Sequence, residues 1–198
     1  MQLGMIGLGR MGGNIVRRLM RNGHSAVVYD KDPKAVAGLA ADGAQGATTL
    51  EEFVAKLDKP RTAWVMLPAG HITETMIETL ARLMQADDVI IDGGNSFWQD
   101  DVRRGKALKE RGIHYVDVGT SGGVWGLDRG YCMMIGGGKV VERRNHQPVR
   151  QVAGDAEDHE RAGVRLSLRF GWFCHERPAF GLMIPLWRAG SGRCCGSL

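Results

Sequence analysis

The 198-residue sequence has no apolar run of the roughly 20 residues that a membrane-spanning helix requires. Its first residues also lack the basic segment and the long apolar core of a secretory signal peptide. The four cysteines form no C-x-x-C pair and no regular framework, which argues against structural disulfides and against a zinc site. We therefore expect a cytoplasmic protein that binds neither a membrane nor a metal.

Net charge is absent from the first two thirds of the chain. Residues 1–138 contain 16 Lys and Arg against 16 Asp and Glu, whereas residues 139–198 contain 10 against 6. The whole excess of +4 therefore belongs to the carboxyl-terminal segment. That segment has no regularly spaced aromatic residues and no recognisable nucleic-acid-binding module, so we expect no nucleic-acid partner.

Apolar runs and amphipathic stretches alternate along residues 1–118. Strands are predicted at residues 3–9, 25–30, 44–47, 62–67, 88–94 and 113–118. Helices are predicted from Met11 to the Asn22-Gly23 pair and at residues 33–39, 50–56 and 97–111. A further helix is predicted with Ile72, Met76 and Leu80 on one face. This rhythm predicts an α/β fold of the Rossmann type, a doubly wound parallel sheet with helices on both faces.

A glycine motif stands between the first predicted strand and the first predicted helix. Its residues are Gly7, Leu8, Gly9, Arg10, Met11 and Gly12, in the pattern G-x-G-x-x-G. Gly7 allows a tight turn, Gly9 lets the backbone approach a pyrophosphate, and Gly12 lets helix and strand pack closely. The helix amino terminus adds a partial positive charge, so the motif predicts a dinucleotide site rather than a purely structural turn.

Asp30 ends the second predicted strand, 18 residues after Gly12. A carboxylate at this place accepts hydrogen bonds from the ribose hydroxyls of NAD and repels the 2′-phosphate of NADP. Lys31 would offset part of that repulsion, but no arginine occurs within residues 22–60. We therefore favour NAD over NADP; the alternative is that Asp30 is a solvated loop acid.

Small and polar residues recur where the other strands end, at the sheet edge where ligands of such folds collect. The predicted nicotinamide contacts are Leu67, Pro68, Ala69 and Asn95, and the predicted substrate contacts are Asn95, Ser121, Gly122 and Gly123. A serine hydroxyl followed by free N–H groups suits a carboxylate. Ser121 is not predicted to be a nucleophile, because no G-x-S-x-G elbow surrounds it. Each loop, taken alone, is also explained as a turn selected for its geometry.

Taken in order, these motifs resemble the decarboxylating 6-phosphogluconate dehydrogenases, and more closely their shorter bacterial type, which is associated with NAD. The matching segments are GLGRMGGN, YDKDP, MLPAG, IDGGNSFWQDDVRR and GTSGGVWGLDRGYCMMIGG, within residues 1–138. The resemblance implies oxidation of 6-phosphogluconate at C3, loss of CO₂ and release of ribulose 5-phosphate. It also implies substrate contacts at Asn95 and at residues 121–123, with residues 67–69 near the nicotinamide.

The resemblance stops after about residue 138. The family supplies its base from a lysine in a stretch of the form G-x-G-H-x-x-K-M-x-H-N-x-I-E-Y, and this chain contains no such stretch. The only lysine after residue 109 is Lys139, which has no His-Asn pair at the needed spacing. No catalytic residue is therefore identified, and the long helical domain that completes the family's pocket and homodimer is missing. We expect weak cofactor binding and negligible turnover.

Residues 139–198 also differ in composition, with nine arginines to one lysine and no tyrosine. We hypothesise that they are the product of a reading-frame shift, or otherwise a replaced and disordered carboxyl terminus; the competing view is a divergent tail that packs on the sheet. Two other functions stay open. One is a dehydrogenase for another small hydroxy acid, such as a 3-hydroxyisobutyrate-type enzyme, and the other is a non-catalytic nucleotide-binding module.

Overall fold

The computed structural model describes residues 1–137, which form a seven-stranded β-sheet with flanking helices. The strands are β1 (Gln2–Ile6), β2 (Ser25–Tyr29), β3 (Gln45–Gly46), β4 (Thr62–Val65), β5 (Val89–Asp92), β6 (His114–Ser121) and β7 (Cys132–Gly137). The helices are α1 (Arg10–Arg21), α2 (Pro33–Ala41), α3 (Leu50–Ala55), α4 (His71–Leu83), α5 (Trp98–Glu110) and α6 (Gly126–Arg129), the last preceded by a 3₁₀ turn at Gly123–Trp125. The predictions made for the basic tail, including Lys139, lie outside the described residues.

The strand order β3-β2-β1-β4-β5-β6-β7 is that of a doubly wound sheet. Strands β1 to β6 are parallel to one another, and the chain changes direction across the sheet between β1 and β4. In such sheets a crevice opens at the carboxyl ends of the strands where the order reverses. The predicted Rossmann-type fold is thus confirmed. Within residues 1–137, no helix is long and apolar enough to cross a membrane.

One strand was missed by the sequence analysis, which predicted only parallel strands. Strand β7 pairs antiparallel with β6, in a register that runs from Val116 opposite Gly137 to Ser121 opposite Cys132. The same pairing extends β6 to Ser121, three residues beyond the predicted end at Val118. The glycine-rich stretch is held extended because β7 supplies partners for its backbone, which local composition does not reveal.

Both faces of the sheet are buried, as expected for parallel strands covered by helices. On one face Trp64, Tyr131 and residues of β1 and β6 pack against α1. On the other face Phe53, Val65 and Tyr115 pack with residues of α3, α4 and α5. Neighbouring residues of a strand therefore serve different cores, because successive side chains point to opposite faces.

The buried face of α4 differs from the predicted one. Ile72 is 55% exposed, whereas Thr73, Ile77 and Leu80 are buried. Thr73 tolerates full burial because its hydroxyl donates to the carbonyl oxygen of Pro68 at 2.8 Å. The helix is therefore rotated so that this polar residue, and not Ile72, packs against the loop that leaves β4.

Candidate functional site

A cleft of about 300 Å³ lies at the carboxyl ends of β1, β4 and β5, at the point where the strand order reverses. Three loops line it, and they follow the three strands named. The lining residues are Gly9, Arg10, Met11, Gly12, Met66, Leu67, Pro68, Gly93, Gly94 and Asn95. Seven of the residues predicted to bind a cofactor are among them, namely Gly9, Arg10, Met11, Gly12, Leu67, Pro68 and Asn95.

The three glycines of the loop after β1 differ in why glycine occupies the position. Gly7 has a φ of +90°, and a Cβ there would collide with the carbonyl oxygen of Met66. A Cβ on Gly12 would collide with the carbonyl oxygen of Gly7, so only glycine lets α1 approach β1 this closely. Gly9 differs from both, because a Cβ there would meet no atom within 4 Å. The space in front of Gly9 is therefore open to a ligand.

The amino terminus of α1 faces this open space. Gly9 is its N-cap residue and makes no side-chain cap hydrogen bond, and the first turn contains no acidic residue. The N–H groups of a first helical turn have no acceptor within the helix and carry a partial positive charge. The loop can therefore receive an anion such as a pyrophosphate without opposing charge from its own helix.

Asp30 follows β2 and lies beside this loop. One carboxylate oxygen accepts a hydrogen bond from the backbone N–H of Leu8 at 2.6 Å, and the other accepts from the N–H of Asp32 at 2.9 Å. The carboxylate thus fixes the shape of the glycine loop, a role that the sequence analysis did not foresee. Two oxygens offer about four acceptor positions, so capacity remains for ribose hydroxyls.

The loop after β4 forms the opposite wall. Leu67 and Pro68 line the cleft, while Ala69, also predicted to lie near a nicotinamide, is exposed and is not among the lining residues. The hydrogen bond from the buried Thr73 hydroxyl to Pro68 ties this wall to α4. The wall is largely apolar and is anchored at one defined carbonyl group.

The loop after β5 carries Asn95, which is exposed and has a φ of +56°. Asp92 stands beneath this loop and is 2% exposed. One of its oxygens accepts from the N–H of Gly94 at 2.9 Å, and the other accepts from the hydroxyl of Ser96 at 2.7 Å. The amide of Asn95 is thereby presented between two residues that are bonded to the same buried carboxylate.

A buried polar cluster surrounds Asp92 and was missed by the sequence analysis. Arg104 Nη1 lies 3.1 Å and the Tyr115 hydroxyl 3.0 Å from Asp92 Oδ2. Arg104 also donates from Nε to Glu74 at 2.7 Å, and Tyr115 lies 2.7 Å from an oxygen of Asp101. Arg104 precedes the buried Leu108 by four residues on α5, and that spacing is the signal that could have placed it on the inner face.

The environment shifts the pKa of three acidic groups of this cluster. Burial raises the pKa of Tyr115 above its ordinary value, so its hydroxyl stays protonated. Burial also raises the pKa of Asp101, although its hydrogen bond to Tyr115 opposes the change. The hydrogen bond from Arg103 lowers the pKa of Glu74 to about 2. The cluster thus combines a firmly ionised glutamate with a carboxyl group that binds its proton more tightly than usual.

The structure does not bring every predicted residue to the cleft. Ser121 is half-buried at the end of β6, and Gly122 and Gly123 follow it on the surface, with φ values of +135° and +50°. None of the three lines the cleft. The segment that follows them is tied to α1, because Arg18 donates to the carbonyl oxygen of Leu127 at 2.8 Å.

The cleft is poor in groups that transfer protons. Among its lining residues within the described part of the chain, Arg10 is the only charged side chain, and no lysine, histidine, aspartate or glutamate is present. Residues 1–137 also contain no group of three or more His, Cys, Asp or Glu side chains that could hold a metal ion. The arrangement can bind and orient a ligand, but these residues supply no general base.

Comparison with known proteins gives a consistent result. The family model described as the NAD binding domain of 6-phosphogluconate dehydrogenase matches residues 2–158. The NAD(+)-dependent, decarboxylating 6-phosphogluconate dehydrogenase of Haloferax volcanii is 41% identical over 137 residues, which are 69% of this chain and 45% of that protein. The chain spans less than half the length of the curated relatives it matches.

The solved structures that share the fold include those of two dehydrogenases. Plasmodium falciparum 6-phosphogluconate dehydrogenase, solved in its apo form and with NADP⁺ or 6-phosphogluconate, has a TM-score of 0.68 and 29% identity, covering 74% of this chain and 32% of that one. Mycobacterium tuberculosis 3-hydroxyisobutyrate dehydrogenase with L-serine has a TM-score of 0.65 and 26% identity, covering 73% and 49% respectively.

Proposed function

Because the chain belongs to the family of the NAD-binding domain of 6-phosphogluconate dehydrogenase, we propose that it binds NAD in the cleft and forms part of a 6-phosphogluconate site. The observation that carries the proposal is the open space at Gly9, which faces the amino terminus of α1 next to Asp30. A pyrophosphate is favoured there because the N–H groups of the first turn of α1 have no acceptor within the helix and Gly9 itself carries no side chain.

The remaining contacts follow from the positions of the three loops. Asp30 has acceptor capacity for the hydroxyls of the adenosine ribose. We propose nicotinamide contacts from Leu67, Pro68 and Asn95, which line the cleft, and from Ala69, which is exposed in the same loop as Leu67 and Pro68. A bound nicotinamide would accept a hydride from the substrate. We further propose that NAD is preferred to NADP, because the charge of Asp30 opposes a 2′-phosphate and residues 22–60 contain no arginine to bind one.

Isothermal titration calorimetry of the full chain with NAD and NADP tests the cofactor proposal. We expect NAD to bind about tenfold or more tightly than NADP, and we expect Asp30→Asn to remove most of that difference. Asp58→Asn is the matched control, because Asp58 is an exposed acid beside Gln2, at the opposite end of β1 from the cleft. Equal affinities for both nucleotides would contradict the preference, and no heat with either would contradict the proposal as a whole.

For the substrate, we propose contacts from Asn95 and from the segment Ser121, Gly122 and Gly123, whose hydroxyl and N–H groups suit the carboxylate of 6-phosphogluconate. The described cleft residues lack a general base. We therefore expect the isolated chain to bind nucleotide and to produce no NADH from NAD and 6-phosphogluconate. Steady-state production of NADH and CO₂ above background would contradict this expectation.

The composition of residues 139–198 supports a further part of the proposal, that this basic segment arises from a reading-frame shift or a replaced carboxyl terminus. The family match continues to residue 158, 20 residues beyond the predicted end of the resemblance, so the gene segment to be compared with the family in every frame is the one that encodes residues 139–198. Sequencing this part of the gene and translating it in all three forward frames tests the hypothesis. If no alternative frame encodes the family's K-M-x-H-N stretch, the frameshift explanation is rejected.

A second candidate is favoured by the likeness to 3-hydroxyisobutyrate dehydrogenase, which extends over 73% of this chain. It predicts NAD-dependent oxidation of a small, unphosphorylated 3-hydroxy acid. A panel that contains 3-hydroxyisobutyrate, L-serine and 6-phosphogluconate separates the candidates. Activity on 3-hydroxyisobutyrate or L-serine would favour the second candidate, whereas nucleotide binding without activity on any of these acids is expected both from the first proposal and from a non-catalytic binding module.

A further inference from the structure

We propose that Arg104 and Tyr115 are positioning residues for Asn95, acting through the buried carboxylate of Asp92. This inference rests on the proposed function only in assigning Asn95 a ligand contact. Neither Arg104 nor Tyr115 lines the cleft. Their effect on a ligand would therefore be transmitted by the loop of residues 93–96.

The first step is the attachment of the loop to Asp92. The two oxygens of this carboxylate bind the residues on either side of Asn95, namely Gly94 at 2.9 Å and Ser96 at 2.7 Å. Asn95 itself has a φ of +56°, a left-handed conformation that few residues other than glycine adopt. The two flanking hydrogen bonds hold Asn95 in this conformation, with its amide exposed at the cleft.

The second step is the support of Asp92 itself. A carboxylate that is 2% exposed retains its charge only if nearby donors replace water. Arg104 Nη1 at 3.1 Å and the Tyr115 hydroxyl at 3.0 Å are the side-chain donors from behind the loop. Arg104 is itself held by Glu74 at 2.7 Å, so α4 and α5 are joined behind the same carboxylate.

The third step concerns the proton of Tyr115. Its hydroxyl lies 3.0 Å from Asp92 and 2.7 Å from Asp101, but one hydroxyl donates only one proton at a time. The Tyr115 hydroxyl is the donor in both contacts, so its proton is shared between Asp92 and Asp101. The hydroxyl therefore links Asp92 to Asp101, while Arg104 Nη1 gives Asp92 Oδ2 a second donor from behind the loop.

The chain provides a matched control at the other end of β5. Asp88 is 1% exposed and accepts from Arg61 Nη1 at 3.1 Å, and its two oxygens also accept backbone N–H groups at 2.8 and 3.0 Å. This buried pair resembles the one between Asp92 and Arg104, but it precedes β5 and holds no cleft residue. A variant that weakens the pair between Asp88 and Arg61 should therefore lower the stability of the protein and leave the cleft unchanged.

The first measurement needs no nucleotide. Hydrogen exchange of the Gly94 amide is compared in the wild type, Tyr115→Phe, Arg104→Lys and Arg61→Lys, with the stability of each variant measured by urea unfolding. We expect the Gly94 amide to exchange about tenfold faster in Tyr115→Phe and Arg104→Lys than in the wild type. In Arg61→Lys, its exchange rate should equal that of the wild type after correction for stability. Unchanged exchange of Gly94 in Tyr115→Phe would overturn the proposal, whether or not the protein binds NAD.

The second measurement uses NAD and a double-mutant cycle. We expect Tyr115→Phe to weaken NAD binding about tenfold, and to have no further effect when Asn95 is already replaced by glycine, which accepts the left-handed conformation. Equal effects of Tyr115→Phe in both backgrounds would show that it does not act through Asn95. If the wild type binds no NAD, the proposed function fails, while the exchange of Gly94 still decides the positioning role.

Discussion

The variant Gly9→Ala separates ligand binding from folding more cleanly than any other change in the glycine loop. Gly9 has a φ of −60° and a ψ of −172°, which other residues adopt without strain. The added methyl group would meet no atom within 4 Å, so the fold can accept it. Alanine is a poorer N-cap residue than glycine, and we expect a loss of at most about 1 kcal/mol in the free energy of unfolding.

The effect on nucleotide binding should be much larger. The methyl group would occupy the space through which a pyrophosphate approaches the N–H groups of α1. Loss of one hydrogen bond to a charged group costs about 1.5–3 kcal/mol. Since about 1.4 kcal/mol corresponds to a factor of ten in the dissociation constant, we expect Gly9→Ala to bind NAD roughly 10- to 100-fold more weakly.

Calorimetric titration with NAD, together with urea unfolding, tests this expectation. Gly38→Ala is the control, because it makes the same change at an exposed position of α2 where a Cβ also meets no atom within 4 Å. It should leave NAD affinity unchanged and raise the free energy of unfolding by about 0.5–1 kcal/mol, as alanine favours a helix. NAD affinity within about threefold of the wild type in folded Gly9→Ala would refute the assignment of the pyrophosphate to this loop.

Two further changes test other parts of the structure. Gly12→Ala forces a methyl group against the carbonyl oxygen of Gly7, so α1 must move away from β1. We expect the free energy of unfolding, measured with urea, to fall by about 1–3 kcal/mol or more. A decrease as small as that of Gly9→Ala would contradict the close packing. The pKa of Glu74 is lowered from 4.5 to about 2, chiefly by its hydrogen bond with Arg103, so its stabilising effect is complete above about pH 4.5 and is lost as the pH falls towards 2. Between about pH 2 and 4.5, the free energy of unfolding should therefore change less steeply with pH in Glu74→Gln than in the wild type. Equal slopes in the two proteins would contradict the ion pair between Glu74 and Arg103.

Much of the fold could be predicted because its signals are local. The alternation of buried strands and amphipathic helices follows from side-chain spacing, and the structure confirms the six predicted strands with small changes at their ends. The G-x-G-x-x-G motif could be recognised because each glycine answers a constraint of the turn between one strand and one helix. Asp30 could be singled out because it ends the next strand.

The features that were missed depend on partners distant in the sequence. Strand β7 is antiparallel because it folds back on β6, and the extended conformation of Gly119 to Ser121 depends on that pairing. Ile72 is exposed because the rotation of α4 satisfies the buried hydroxyl of Thr73 at Pro68. In neither place does the apolar pattern alone determine which surface is covered.

The sequence by itself determined the order of strands and helices, the glycine loop at the end of β1 and the acid at the end of β2, since each depends on residues within one or two neighbouring elements. Only the tertiary structure decided that Asp30 holds the glycine loop and that Asp92, Arg104 and Tyr115 meet beneath Asn95. The physical reason is that a buried charge is stable only where folding brings enough donors to it, and these donors come from the loop after β5, from α5 and from β6.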